Sequence, residues 1–268
     1  MPELFADSRR RIRRAVGHGK AFKEQWESLL HPESFATSVE VDGDWRSGVV
    51  KATPAAIPDH DLALELGEFF YQLRAALDGA IYTASALAEG INPPSNQDRV
   101  EFPICTTVSK FDSNAVNRLP FPEVLRDWIE TIQPYNTAKT ANTTYSNLNE
   151  ALLRLHDCAR KDRHRRLHVV VAAPRDVQWQ FAITPPGKVV DVQALDCNFL
   201  EGETVFMRFM IEGINPKIPC KINLITAVTM EVAIEELPTV MGGNIGIEMD
   251  KILRATEFVI DTFESGYQ

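Results

Sequence analysis

Apolar residues recur every three or four positions through the first thirty residues. Leu4, Ile12, Val16, Phe22, Trp26 and Leu29/Leu30 share one stripe, which predicts an amphipathic helix from Pro2 to about Leu30. The period then drops to two. Phe35 to Val41 and Trp45 to Ala52 read as strands around the turn Asp42-Gly43-Asp44, and Pro54 and Pro58 close the hairpin. The clearest helical stripe follows from Asp61 to about Ala88, with Leu62, Leu66, Phe69/Phe70, Leu73, Leu77, Ile81 and Ala84 on one face. Asp59 or Asp61 can cap its start, and Gly90 with Pro93-Pro94 stops it. Its alanines permit close approach of another helix.

A loop through Glu101-Phe102-Pro103-Ile104 leads into shorter helical patterns near Ser109 to Asn117 and Pro122 to Ile132. Asn136 to Thr144 reads as a loop, and Leu148, Leu152 and Leu155 mark a helix ending near Lys161. From His168 onward β-branched and alternating runs take over, at Val169 to Ala172, Trp179 to Ile183, Val189 to Leu195, Thr204 to Ile211 and Lys221 to Ile234. Pro174, Pro185-Pro186-Gly187, Gly202 and Pro216 to Pro219 punctuate them. After Gly242-Gly243-Asn244, the residues Ile245, Met249, Ile252/Leu253, Val259/Ile260 and Phe263 predict a final helix. Helices first and strands second predict an α+β fold: an N-terminal helical bundle with a small β-hairpin, then a mainly antiparallel sheet and a C-terminal helix. The division falls at residues 1–166, with the hairpin at about 35–53, and 167–268, as two parts or as one compact unit.

Composition adds limits. The 268 residues are 44% apolar and 24% charged, the mix of a globular protein that needs no disulfide or metal to fold. No apolar run approaches the ~20 residues needed to span a bilayer, and the basic start lacks the apolar stretch of a signal peptide. A cytoplasmic protein with no membrane partner is expected. The four cysteines, Cys105, Cys158, Cys197 and Cys220, are too scattered for a zinc or redox motif and read as reduced thiols. The net charge of −9 conceals two basic segments. Residues 9–24 carry seven Lys or Arg against Glu24, and residues 154–168 carry six against Asp157 and Asp162. Such a chain can attract an anion locally while repelling polyanions at a distance; the same segments also read as solvated helix faces.

Two clusters can carry chemistry. Arg74, Asp78 and Tyr82 stand one above another at i, i+4 and i+8 of the long helix. The pair reads either as an intrahelical ion pair or as an anion-binding arginine beside a carboxylate. The second cluster, Arg160-Lys161-Asp162-Arg163-His164-Arg165-Arg166, contains His164, a candidate general base. Held by Asp78 or Asp162, His164 can deprotonate water or a hydroxyl while Arg74 or Arg165 stabilises the anion. Cations at a helix C-terminus are the other reading. The candidate catalytic residues are thus His164, Asp78 and Asp162, and the candidate substrate-binding residues are Arg74, Tyr82 and Arg165. No cofactor is expected. No metal site is expected either, since His31, His60 and His156 stand singly. Walker, Rossmann, His-Glu-x-x-His and Gly-x-Ser-x-Gly signatures are lacking. Gly242-Gly243-Asn244 suits either ordinary helix entry or phosphate at a helix start.

Phe70-Tyr71-Gln72-Leu73-Arg74-Ala75-Ala76-Leu77-Asp78-Gly79, Phe102-Pro103-Ile104 and Asp162-Arg163-His164-Arg165 carry a resemblance. Over about residues 60–166 the chain resembles an uncharacterised bacterial family, frequent in actinobacteria. In that family the helix reads Leu-His-Asn-Leu-Arg-Ser-Ala-Leu-Asp-His, followed by Phe-Pro-Ile and Asp-Lys-His-Arg. Arg74, Asp78, Asp162 and His164 match; Tyr71 and Gly79 replace the two helix histidines. A looser similarity is to HEPN domains, dimeric helical RNases marked by Arg, four to six residues, then His. Arg163 to His168, Arg13 to His18 and Arg11 to His18 have that spacing, at a frequency that chance among clustered arginines explains.

Three functional readings follow. The first is an enzyme or binding protein with a small-molecule pocket between the helical and sheet parts, acting on a polar or anionic substrate. The alternative is a HEPN-like, metal-independent RNase or defence component in which Arg163 and His168 matter. The last is a non-catalytic interaction module. A homo-oligomer is expected.

Overall fold

The computed structural model describes residues 4–29, 35–54, 60–95, 97–114, 117, 121–139, 143–164, 169–184, 186–195, 202–215, 217–218, 221–234 and 245–267. The fold is α+β, with helices α1 (Ala6–Leu29), α2 (His60–Glu89), α3 (Val108–Asp112), α4 (Glu123–Thr131), α5 (Thr143–His164) and α6 (Ile245–Gly266). The strands are β1 (Phe35–Val41), β2 (Ser47–Pro54), β3 (Val169–Thr184), β4 (Lys188–Ala194), β5 (Thr204–Glu212) and β6 (Lys221–Ile234). No described helix is long and apolar enough to cross a membrane.

By its own contacts the chain separates into two units, each discontinuous in sequence. One comprises residues 1–23, 63–167 and 246–268; the other comprises 24–62 and 168–245. This differs from a division at residue 166. The hairpin β1–β2 belongs with the later strands, and α6 belongs with the helices. In the helical unit α2 is central, because its stripe is apolar from end to end: Leu66, Leu73, Leu77, Ile81 and Ala84 are completely buried. The first half of α1 runs antiparallel to α2. Ser8 Oγ lies 3.1 Å from where a side chain on Gly79 would begin, and His18 Nδ1 bonds Glu65 Oε2 at 2.8 Å. Arg9 binds Glu264 and Asp261 of α6, and Phe5 stacks on Phe263 at 6.2 Å. Helix α2 ends as its sequence requires: Gly90 takes a positive φ of 70°, and the Ile91 N–H donates back to Ala86 O at 3.2 Å.

In the sheet unit, β1, β2, β5 and β4 form one antiparallel sheet in that order, and β3 pairs with β6 as a separate antiparallel ribbon. The hairpin is therefore no appendage. Ser47 to Ala52 pair with Met210 to Thr204, with a register shift after Val50. Gly48 is required there, since a side chain would meet Glu40 O at 2.7 Å as well as the Phe209 ring. The two expected strands Val169 to Ala172 and Trp179 to Ile183 are one strand, β3. Pro174 falls within the register shift between Ala172 and Asp176, where a residue without an N–H donor is tolerated.

Candidate functional site

Tyr71, Arg74, Ala75, Asp78, Gly79 and Tyr82 follow one another at helical spacings, so they make one strip along α2. With Arg11 of α1, Val100 and Ala159 of α5 they line an open groove of about 380 Å³. Ala75 and Gly79 add almost no bulk between the larger side chains, which leaves the space. All the lining residues belong to the helical unit. Of the residues expected from sequence, Arg74, Asp78 and Tyr82 are brought together here. Tyr71 and Gly79 line the same groove. The contributions of Arg11, Val100 and Ala159 were not legible, because they come from distant segments.

The Arg74–Asp78 pair has a clear structural task. Arg74 is 8% exposed, and its Nη2 lies 3.0 Å from Asp78 Oδ1. The same Nη2 donates to Phe102 O at 2.7 Å, while the Phe102 N–H donates to Asp78 Oδ1 at 2.9 Å. Gln133, fully buried, continues the pattern: its Oε1 accepts from the Cys105 N–H at 2.8 Å, and its Nε2 donates to Pro103 O at 3.1 Å and Ile129 O at 2.8 Å. Residues 102–105 are buried but belong to no helix or sheet, so side chains must satisfy their backbone groups. The helix motif and the Phe-Pro-Ile motif are thus two sides of one contact.

Arg74 nonetheless keeps one group in reserve. Its Nη1 is buried with no hydrogen-bond partner, as is Ser8 Oγ beside Gly79. Arg11, half-buried, has no ion-pair partner among the described residues, whereas its neighbours do: Arg9 binds Asp261 and Glu264, and Arg10 lies 3.2 Å from Asp7.

Asp162 lies elsewhere. Its carboxyl group rests directly on Gly67, where any side chain would collide with it. Burial, and then the nearby charge of Glu68, push its pKa above the ordinary aspartate value. Gly67 and Asp78 are eleven residues apart on α2, roughly 16 Å at ~1.5 Å per residue. Asp162 therefore lies away from Asp78 and is not among the residues that line the groove. The side chain of His164 and all of Arg165 lie outside the described residues, as do the Arg163 side chain and His168. Gly242-Gly243-Asn244 lies outside them too. His18, which completes two of the Arg-to-His spacings, is engaged with Glu65. Cys105 and Cys158 are buried free thiols, and burial raises both pKa values, away from the reactive thiolate. No group of three metal-ligating side chains occurs among the described residues.

A second concavity, about 550 Å³, lies between α5 and α6. Its cations are already neutralised: Arg154 and Lys251 bind Glu248, and Arg254 binds Asp250 at 2.8 Å. Of these two concavities, the groove along α2 is bordered by the unpaired Arg11 and the unmatched Nη1 of Arg74. Comparison with protein-family models, curated proteins and solved structures finds no match to this chain.

Proposed function

We propose that this chain is a cytoplasmic small-molecule-binding protein whose ligand occupies the groove along α2. The supporting observation is the convergence of Arg11, Tyr71, Arg74, Asp78 and Tyr82 on a space of about 380 Å³. That volume lies within the ~300–1,000 Å³ range of small-molecule sites. The Arg74–Asp78 clamp on Phe102 gives the wall a rigid backing, so the site is preorganised. A binding role is favoured over acid–base catalysis because Asp78 Oδ1 already accepts from Phe102 and Arg74, and Asp162 sits on Gly67.

Native mass spectrometry of the purified protein tests this, repeated on Ala75→Leu, whose longer side chain would occupy the groove that half-buried Ala75 lines. A reproducible small-molecule adduct on the native chain, missing from a folded Ala75→Leu, is the expected result. An RNA adduct would replace this reading with the RNase one. An adduct retained by Ala75→Leu would put the ligand outside the groove and overturn the proposal.

A further inference from the structure

We infer that the ligand of this groove carries an oxyanion, a carboxylate or a phosphate, held between Arg11 and Arg74. This rests on the small-molecule reading of the groove and adds its chemical class. Arg74 is 8% exposed, and Nη2 alone serves Asp78 and Phe102; Nη1 is a buried charged donor with no acceptor. A buried guanidinium N–H without an acceptor is costly, and an oxyanion supplies the shortest and strongest acceptor available to it. Arg11 lines the same groove with no ion-pair partner among the described residues. The lining holds two guanidiniums against the single carboxylate of Asp78, leaving a net positive charge in a chain of net charge −9.

The cationic side chains of this lining are Arg11 and Arg74. Arg14, exposed and one turn beyond Arg11, lies on the same face of α1. The hydroxyls of Tyr71 and Tyr82 are neutral donors for the remaining oxygens of the ligand. The concavity between α5 and α6 lacks this excess, since its arginines and lysine are paired.

The test is an NMR titration that follows arginine side-chain and backbone signals with three probes: methyl phosphate, acetate and neutral acetamide. Methyl phosphate or acetate should shift Arg11 and Arg74 saturably, and the tighter probe identifies which oxyanion the site prefers. Arg11→Gln should weaken that binding about tenfold, the usual effect of losing a charged hydrogen bond. Arg11→Lys should recover part of it, and exposed Arg13→Gln should leave it unchanged. If acetamide binds as well as acetate, or Arg11→Gln changes nothing, the oxyanion inference fails while the groove remains a binding site. If none of the probes perturbs the groove and no adduct is found on the purified protein, both fail.

Discussion

At Gly67 the lack of a side chain is what lets the Asp162 carboxyl lie on α2. Two effects then compete in a Gly67→Ala variant. Alanine improves helix propensity by about 1 kcal/mol, but the clash with Asp162 overpacks the contact at a cost of about 1–3 kcal/mol. Gly67→Ala should therefore destabilise the native chain yet stabilise an Asp162→Ala background, a sign reversal that urea unfolding would reveal. The pH dependence follows from the raised pKa of Asp162. The folded state favours its protonated form, so its contribution is fully present below the unfolded value of ~3.9 and is lost as pH rises through the higher folded value. Asp162→Asn should accordingly be more stable than the native protein at neutral pH, and the difference should vanish in acid. Equal gains at both pH values would remove burial of the charge as the cause.

The loop 102–105 is an element that packs like a strand without belonging to a sheet. Its backbone partners are side chains of α2 and of the turn after α4, so its stability is concentrated in a few atoms. Arg74→Ala should cost about 3 kcal/mol and Gln133→Ala about 2 kcal/mol in urea unfolding, because each leaves buried backbone groups unmatched. If Arg74→Ala costs less than about 1 kcal/mol, an exposed i,i+4 pair is the better description. The helix pattern was legible here; the pinning was not. Arg and Asp four residues apart have the same spacing whether solvated or buried. Only the burial of Arg74 and the approach of Phe102 distinguish the two cases. The strands show the same limit. Alternation marked β1 and β2 correctly, but the pairing of β2 with β5 depends on contacts across some hundred and fifty residues, which local spacing does not encode.

At the scale of the whole molecule, both units cross the boundary that the sequence pattern suggested. The helical unit takes α6 from the far end of the chain, where Val259, Ile260 and Phe263 are completely buried, and the sheet takes β1 and β2 from the near end. Fragments 1–166 and 167–268 should therefore fail to fold alone, each lacking part of its own core. Dispersed NMR signals and a cooperative melt from either fragment would contradict this. Mixing the two should restore structure if the missing pieces can dock.

What the sequence determined by itself is the set of elements and the faces they bury, since periods of about two and 3.6 residues follow from backbone geometry within each segment. It also marked Arg74, Asp78 and Tyr82 as one face of α2. The tertiary structure decided which faces meet: Ser8 with Gly79, Asp162 with Gly67, Gly48 with Phe209, and the Arg74–Asp78 pair with the backbone of Phe102. Those contacts depend on packing between distant segments, where shape and buried polar groups must match at once, and a local repeat carries no record of its partner.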